Sequence, residues 1–457
     1  MSATFVIRAS WVVPVEPDGQ CLHDAAVSVR DGCIDRVVAI ADLTADERAA
    51  PQIDLPRHVV LPGLVNCHGH AAMSLLRGFA DDFPLAQWLN ERIWPAEGRW
   101  VDEQFVTDGA TLALAEMLLS GTTCCSDMYF FPEATAAAAR RAGIRAQVNF
   151  PIVSFPNAWS SSADAALHQG LQLADAHRHD PLVRIGFGPH STYAVDNPTL
   201  ARIATLAAEL ALPVQIHLHE TRQEVEDSLR NTGQRPFEHL VKTGLLAPGL
   251  QAVHMTQLSD TEIAMLAEQH VSVIHCPQSN LRLGSGVCPV VRLQAAGVCV
   301  GLGTDGAASN NGLDLFREMN IAALLAKGST GDPAALRARS ALRMATLDGA
   351  RALALDTQIG SLTPGKAADI IAVDLGSPGQ WPVYDPVSQL AYTGVGAQVT
   401  HVWVAGRALV RARQLLSLDI GDVLDRAAHW AKRIGAGAQA PDPALPDTPA
   451  SAASAAT

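Results

Sequence analysis

The sequence is poor in charge and poorer in aromatics: 17% of its 457 residues are Asp, Glu, Lys or Arg, and 5% are Phe, Trp or Tyr. With 48% hydrophobic residues, that balance excludes a disordered chain and leaves a globular protein with a large core. Basic residues are the scarcer sign. Lys and Arg number 33 against 46 Asp and Glu, a formal net charge of -13, which argues against nucleic acid and anionic membrane surfaces as partners. No lysine precedes Lys242. No apolar run approaches the roughly 20 residues of a membrane-spanning helix, and the stretch from Met1 to Arg8 lacks the basic-then-apolar layout of a secretory signal. The 8 cysteines contain no Cys-x-x-Cys pair. That pattern argues against a disulfide framework, favours reduced thiols and makes a cytoplasmic location the expectation. Also missing is the His-x-Glu plus Pro-Cys-x-x-Cys signature of the cytidine-type zinc deaminases.

What is present divides by texture. Residues 1–60 alternate short β-rich runs, such as Phe5–Ala9 and Ala26–Arg30, with turns at Asp18-Gly19 and Asp31-Gly32, the pattern of an antiparallel β unit. From residue 61 to 364, apolar strands alternate with Ala/Leu-rich helical segments. Strands are expected before His68 and over 121–127, 145–150, 183–189, 214–219, 250–254, 271–275 and 299–304. About eight strand–helix repeats over this length predict an α/β fold, a (β/α)8 TIM-like barrel. Over 365–434 the β texture returns, in Ile370–Asp374 and Val399–Val404, so the two chain ends are expected to build one composite β-sandwich domain. Residues 435–457 are rich in Ala, Pro, Asp and Ser and are expected to form a disordered tail.

The stretch Leu61-Pro-Gly-Leu-Val-Asn-Cys-His68-Gly-His70 reads as a buried strand ending in two histidines. Residues i and i+2 of a strand share a face, so both imidazoles can aim at one point, and Gly69 lets the backbone come close to it. A barrel places its active site at the C-terminal ends of its strands. Polar residues collect there: His190 after strand four, His217 and Glu220 after five, His254 after six and Asp305 after eight. His68, His70, His217 and Asp305 would supply three nitrogens and a carboxylate to a metal, leaving a position for water. Glu220 would lie close enough to shuttle protons. His254 adds a polar group facing the same point.

These residues resemble the amidohydrolase superfamily. The carriers are His68-Gly-His70, His217-x-x-Glu220, His254 and Thr304-Asp305, with Pro62-Gly63 and the stretch Ile359–Asp369 resembling that family's split β domain. Within it, Trp88-Leu-Asn-Glu-Arg-Ile-Trp-Pro-Ala-Glu97, Gly188-Pro-His190-Ser-Thr-Tyr193, Thr304-Asp305-Gly306-Ala-Ala-Ser309-Asn310-Asn311 and His275-Cys-Pro-Gln-Ser279-Asn280 resemble the deaminases that act on 5′-methylthioadenosine and S-adenosylhomocysteine. The resemblance implies a deaminase releasing ammonia from a purine nucleoside, with water as the second reactant. Catalysis would fall to Glu220, His254 and Asp305. Glu97 would hold the ribose hydroxyls, His190 and Glu220 would contact the purine ring, Ser309 would lie near the ribose, and Trp88 would line the pocket. Many relatives bridge two metals with a carboxylated lysine at strand four, which this chain lacks. One divalent ion is therefore expected, Zn2+ first and Fe2+ or Mn2+ next. Free-base deaminases of guanine or 8-oxoguanine and triazine amino- or chlorohydrolases share most of the metal motif and remain alternatives, a non-catalytic scaffold on the same barrel is a further one, and a homo-oligomer is compatible with exposed barrel helices.

Overall fold

The computed structural model describes residues 4–438. Eight parallel strands run in chain order around a barrel: Leu64–Asn66, Thr122–Met128, Arg145–Ile152, Val183–Pro189, Val214–Leu218, Leu250–His254, Ser272–His275 and Val300–Leu302. Each expected barrel strand is found, with ends shifted by at most a few residues. The last strand meets the first through Cys67 N–H donating to Leu302 O (2.8 Å) and Asp305 N–H donating to His68 O (3.1 Å). This junction needs a glycine, because a Cβ on Gly303 would stand 2.9 Å from His68 Cβ. Gly69, by contrast, is less crowded than expected: its added Cβ would meet nothing nearer than Asp305 O at 3.4 Å.

The outer helices begin where the sequence offers an oxygen to the free N–H groups of a first turn. Asp102, Ser162, Asp196, Thr221 and Ser259 each cap the helix that follows. The strand faces toward these helices are apolar and buried, as a parallel sheet covered on both sides requires. The inward faces are different. Gln147, Asn149, Gln215, Gln251 and Ser126 fill part of the barrel interior as a hydrogen-bonded layer, with Gln147 and Gln215 each donating to Gln251 Oε1 at 2.9 Å. Buried polar groups are tolerated when they satisfy one another, and this layer is the floor on which the histidines stand.

The two chain ends do meet. Gln52–Pro62 pairs antiparallel with Ile370–Asp374, in register Pro62↔Ile370 through His58↔Asp374, within one eight-stranded sheet separate from the barrel. The Asp369 carboxylate ties that sheet to the barrel through Arg145 at the start of strand three (3.1 Å) and is itself held by Ala405 N–H (2.8 Å) in a hairpin turn of the same sheet. After the last strand the chain forms a helix, Ile420–Ala438, where β structure and then a tail were expected. Val423, Trp430 and Ile434 are buried, a spacing of seven and four that lies on one helical face. Trp430 Nε1–H donates to Asp108 Oδ2 (2.9 Å), and its ring meets Phe105 edge-on. Residues 435–438 therefore close a helix, and the rest of the expected tail lies outside the described residues. Among the described residues, no helix is long and apolar enough to cross a membrane.

A metal-ready cluster on the floor of an apolar cavity

Barrel strand one delivers His68 and His70, strand five His217, strand six His254, and the turn after strand eight Asp305. Their reactive atoms converge. His217 Nε2 is 3.2 Å from His68 Nε2, and Asp305 Oδ1 is 3.5 Å from His68 Nε2 and 3.3 Å from His70 Nε2. Ligands about 2.0–2.1 Å from a tetrahedral zinc stand about 3.3 Å from one another, so these spacings suit such an ion. The far side of each imidazole is anchored. His68 Nδ1 meets Gln215 Oε1 (2.7 Å), His70 Nδ1 meets Met128 O (2.5 Å), and His217 Nδ1 meets His190 O (2.8 Å). A proton fixed on Nδ1 leaves each Nε2 with a free lone pair directed inward, the arrangement a metal-ligating histidine needs.

Electrostatics agree with that geometry. Burial keeps His68, His217 and His254 below the ordinary histidine value, with the neighbouring histidines adding to the effect at His217. Burial also opposes ionisation of Asp305, but His68 and His70 outweigh it and hold its carboxyl well below the usual range. At His70 the Asp305 carboxylate overcomes burial and raises the ring to about 9, so the space between His70 Nε2 and Asp305 Oδ1 calls for a positive charge that either a proton on Nε2 or a metal ion can supply. The cluster thus has a net demand for positive charge at its centre. The donor set, three imidazole nitrogens and a carboxylate, fits a divalent ion of borderline softness.

Asp305 is held from several sides: Gly306 N–H donates to Oδ1 (2.7 Å), while the hydroxyls of Ser279 (2.6 Å) and Ser309 (3.1 Å) donate to Oδ2. Asp305 and His254 have positive φ, 61° and 76°, in a region that non-glycine residues occupy at a cost and that is common at functional sites. His254 Nδ1 is fixed by Asn280 Oδ1 (2.8 Å), and its Nε2 lies 3.8 Å from Glu220 Oε2. Burial, reinforced by the nearby Asp305 charge, pushes Glu220 up to about 8. Its backbone N–H and that of His219 donate to Glu224 (2.6 and 3.2 Å).

Above this floor lies a cavity whose wall includes Trp88, Glu97, Tyr129 and His190. Trp88 and Glu97 come from a helical segment spanning 85–100 with a wide turn at Leu89–Ile93. Burial pushes Glu97 up to about 7 despite the hydroxyl of Tyr129, which donates to Glu97 Oε1 at 2.7 Å. Burial, with the positive field of His70 and His68, lowers His190 to about 4, so it faces the cavity as a neutral imidazole. The indole N–H of Trp88 is buried without an acceptor among the described residues.

Ser309 departs from expectation. It is buried behind Asp305, 2.9 Å from Ser279 Oγ, and is not part of the cavity wall. The single helical turn Ala307–Asn310 carries its hydroxyl back onto the carboxylate. His219, which strand parity would set beside His217, is turned away because its φ of 49° ends the strand pattern. Its Nε2 instead accepts from Phe237 N–H at 3.2 Å. Three contributors carry no motif in the sequence: Gln215 behind His68, Tyr129 on Glu97, and Glu224 beneath Glu220. Gln215 alone could have been found, since it stands two residues before His217 and faces the same way.

Comparisons with known proteins point in one direction. Residues 59–409 match the amidohydrolase family. The 5-methylthioadenosine/S-adenosylhomocysteine deaminase of Saccharophagus degradans is 51% identical over 434 residues, covering 95% of this chain and 97% of that protein. A solved adenosine deaminase from Xanthomonas campestris with bound zinc superposes with a TM-score of 0.92 at 45% identity, covering 95% of this chain and 99% of the other. The zinc complex of atrazine chlorohydrolase from Arthrobacter aurescens superposes with a TM-score of 0.87 at 26% identity, covering 93% and 100%. With the ligand cluster at the strand ends and the match running from the first barrel strand into the closing sheet, this chain belongs to the amidohydrolase family.

Proposed function

We propose that the protein is a metal-dependent deaminase of adenosine derivatives, acting on 5′-methylthioadenosine, S-adenosylhomocysteine and adenosine to give ammonia and the inosine analogue. As a reaction class this is hydrolysis of a C–N bond in a cyclic amidine. The observation that carries the reading is that Glu97 lines the same cavity as His70, His217 and Asp305, where His68 and His70 group with Asp305, and His68 and His217 with His254, closely enough to hold an ion. A carboxylate held away from the reacting centre suits a diol acceptor, and a free base has no diol.

His68, His70, His217 and Asp305 would hold the ion, which we take to be zinc. When bound, a divalent cation supplies Lewis acidity that lets a water ionise near neutral pH. The protein does the rest. His190, kept neutral, forms a hydrogen bond with a ring nitrogen, and Glu97 accepts from the ribose hydroxyls, so the purine is set with C6 toward the floor. Glu220, pushed up to about 8, has a proton to give at neutral pH. It passes that proton to the ring nitrogen beside C6, which makes C6 electrophilic as water adds. His254 holds the attacking oxygen on the correct face. Asp305 takes the proton of the new C6 hydroxyl and delivers it to the amino group, which leaves as ammonia as C6 becomes a carbonyl, and the proton the water lost on ionising restores Glu220. Nucleoside and water are the partners this chemistry needs, and the unpaired state of all 8 cysteines supports a cytoplasmic setting.

The test is ammonia release by zinc-loaded protein from adenosine, 5′-methylthioadenosine, S-adenosylhomocysteine, guanine and 8-oxoguanine. Turnover of the nucleosides is expected. Turnover of the free bases alone would keep the hydrolytic chemistry and overturn the substrate.

A further inference from the structure

The floor of the cavity is polar and its outer wall is not. Leu85, Leu89, Trp94, Tyr193 and Leu283 line both the inner cavity and the wider outer one that opens to solvent. They therefore form the passage between floor and mouth. Trp94 stands one turn before Glu97 on the helix Trp94–Trp100, so a nucleoside with C6 on the floor and its hydroxyls on Glu97 would send its 5′ substituent toward that passage. Among the described residues that line the inner cavity, none is Lys or Arg, and the ionisable groups besides the histidines and Tyr129 and Tyr193 are Glu97, Glu220 and Asp305.

We propose that this passage selects an uncharged, apolar 5′ substituent, so that alkylthio-adenosines are preferred over S-adenosylhomocysteine with its amino-acid tail. The inference rests on the deaminase reading and narrows it. A carboxylate leaving water requires a cation or several donors, and the passage offers leucine, tryptophan and tyrosine surfaces instead. Farther out, Arg222 lines the mouth beside Glu226, while Asp227 is paired with Arg230 and Glu224 is turned in under Glu220, so the one cation there already faces a carboxylate.

A second observation points the same way. Trp94, Phe155 and Tyr193 are 39%, 48% and 53% exposed, and all three border the inner cavity. A cluster of exposed apolar side chains at the rim of a site is a binding surface for apolar material. A methylthio or longer alkylthio group would cover it, and each added methylene would gain about fourfold in affinity while it remains in contact.

The experiment compares kcat/KM of the zinc-loaded enzyme for 5′-methylthio-, 5′-ethylthio- and 5′-propylthioadenosine and for S-adenosylhomocysteine. The alkylthio compounds are expected to exceed S-adenosylhomocysteine by tenfold or more and to hold or improve with chain length. Binding of the same compounds to the Glu220→Gln variant should give the same order without turnover. Phe155→Arg should raise the ratio of S-adenosylhomocysteine to methylthioadenosine. Equal or greater kcat/KM for S-adenosylhomocysteine, with loss of that preference in Arg222→Ala, would overturn the inference and leave the deaminase standing. Failure of every adenosine derivative would overturn both.

Discussion

The floor and the wall of this cavity are built on opposite plans. On the floor every working side chain is held by a second group: His68 by Gln215, His217 by a carbonyl, His254 by Asn280, and Asp305 by Ser279, Ser309 and a backbone N–H. On the wall, Trp94, Phe155 and Tyr193 are partly exposed, and Trp88 keeps an indole N–H without an acceptor among the described residues. Directional groups must be placed to a few tenths of an ångström to hold an ion or pass a proton. Apolar surface only has to exclude water. The contrast teaches that reaction and selectivity are separable here, one written in hydrogen bonds and the other in shape.

The strongest way to break the floor is to remove a ligand. His217→Ala should leave protein that folds but does not retain zinc, with turnover at background, checked by elemental analysis beside the deamination assay. Retained stoichiometric zinc would remove His217 from the ligand set. Glu220→Gln is the next largest change. It should keep zinc and fold while turnover falls by ~10²–10⁴, the usual contribution of general acid–base assistance. Near-normal turnover in a zinc-loaded Gln variant would take the proton step away from Glu220.

The floor was also the legible part. Two histidines at i and i+2 on a strand can only face together, and a barrel gathers its strand ends, so His68, His70, His217, His254 and Asp305 could be brought together from spacing alone. The groups behind them were not legible. Gln147 and Gln251 look like ordinary polar strand residues until the barrel closes and they find one another, and only Gln215, two residues before His217, betrays its direction. Tyr129 follows strand two with no motif, and Glu224 reads as a first-turn acid of the helix Arg222–Thr232. Ser309 sits on a helical turn too short to show periodicity, and its direction was lost with it. The final helix was missed, although Val423, Ala427, Trp430 and Ile434 keep helical spacing, because the stretch reads together with the β-rich runs before it.

Breaking the wall should cost less and cost selectively. Glu97→Ala removes an acceptor for two hydroxyls, and hydrogen bonds to a charged group are worth about 1.5–3 kcal/mol. A loss of roughly 10–100-fold in kcat/KM is expected on nucleosides, mostly in KM, with zinc content unchanged. If the loss appeared equally on a substrate without ribose, Glu97 would belong with the floor.

The smallest expected effect sharpens the comparison most. Tyr129 donates to Glu97 Oε1 at 2.7 Å, a bond that favours the carboxylate, while burial favours the acid and sets the balance at about 7. Glu97 accepts from both hydroxyls of a diol, and binds them more strongly, when ionised. Nucleoside kcat/KM should therefore fall as pH drops through about 7. Tyr129→Phe removes a bond to the ionised form, so the Glu97 pKa rises and the acid limb moves to higher pH. At pH 8.5 the variant should differ from the parent by no more than a few-fold, and at pH 6.5 by more. The limb should appear in KM rather than kcat, because the group acts in holding substrate and not in breaking the C–N bond. A limb that shifts in kcat instead would mean that Tyr129 and Glu97 reach the proton path, and the wall would then be part of the machinery it encloses.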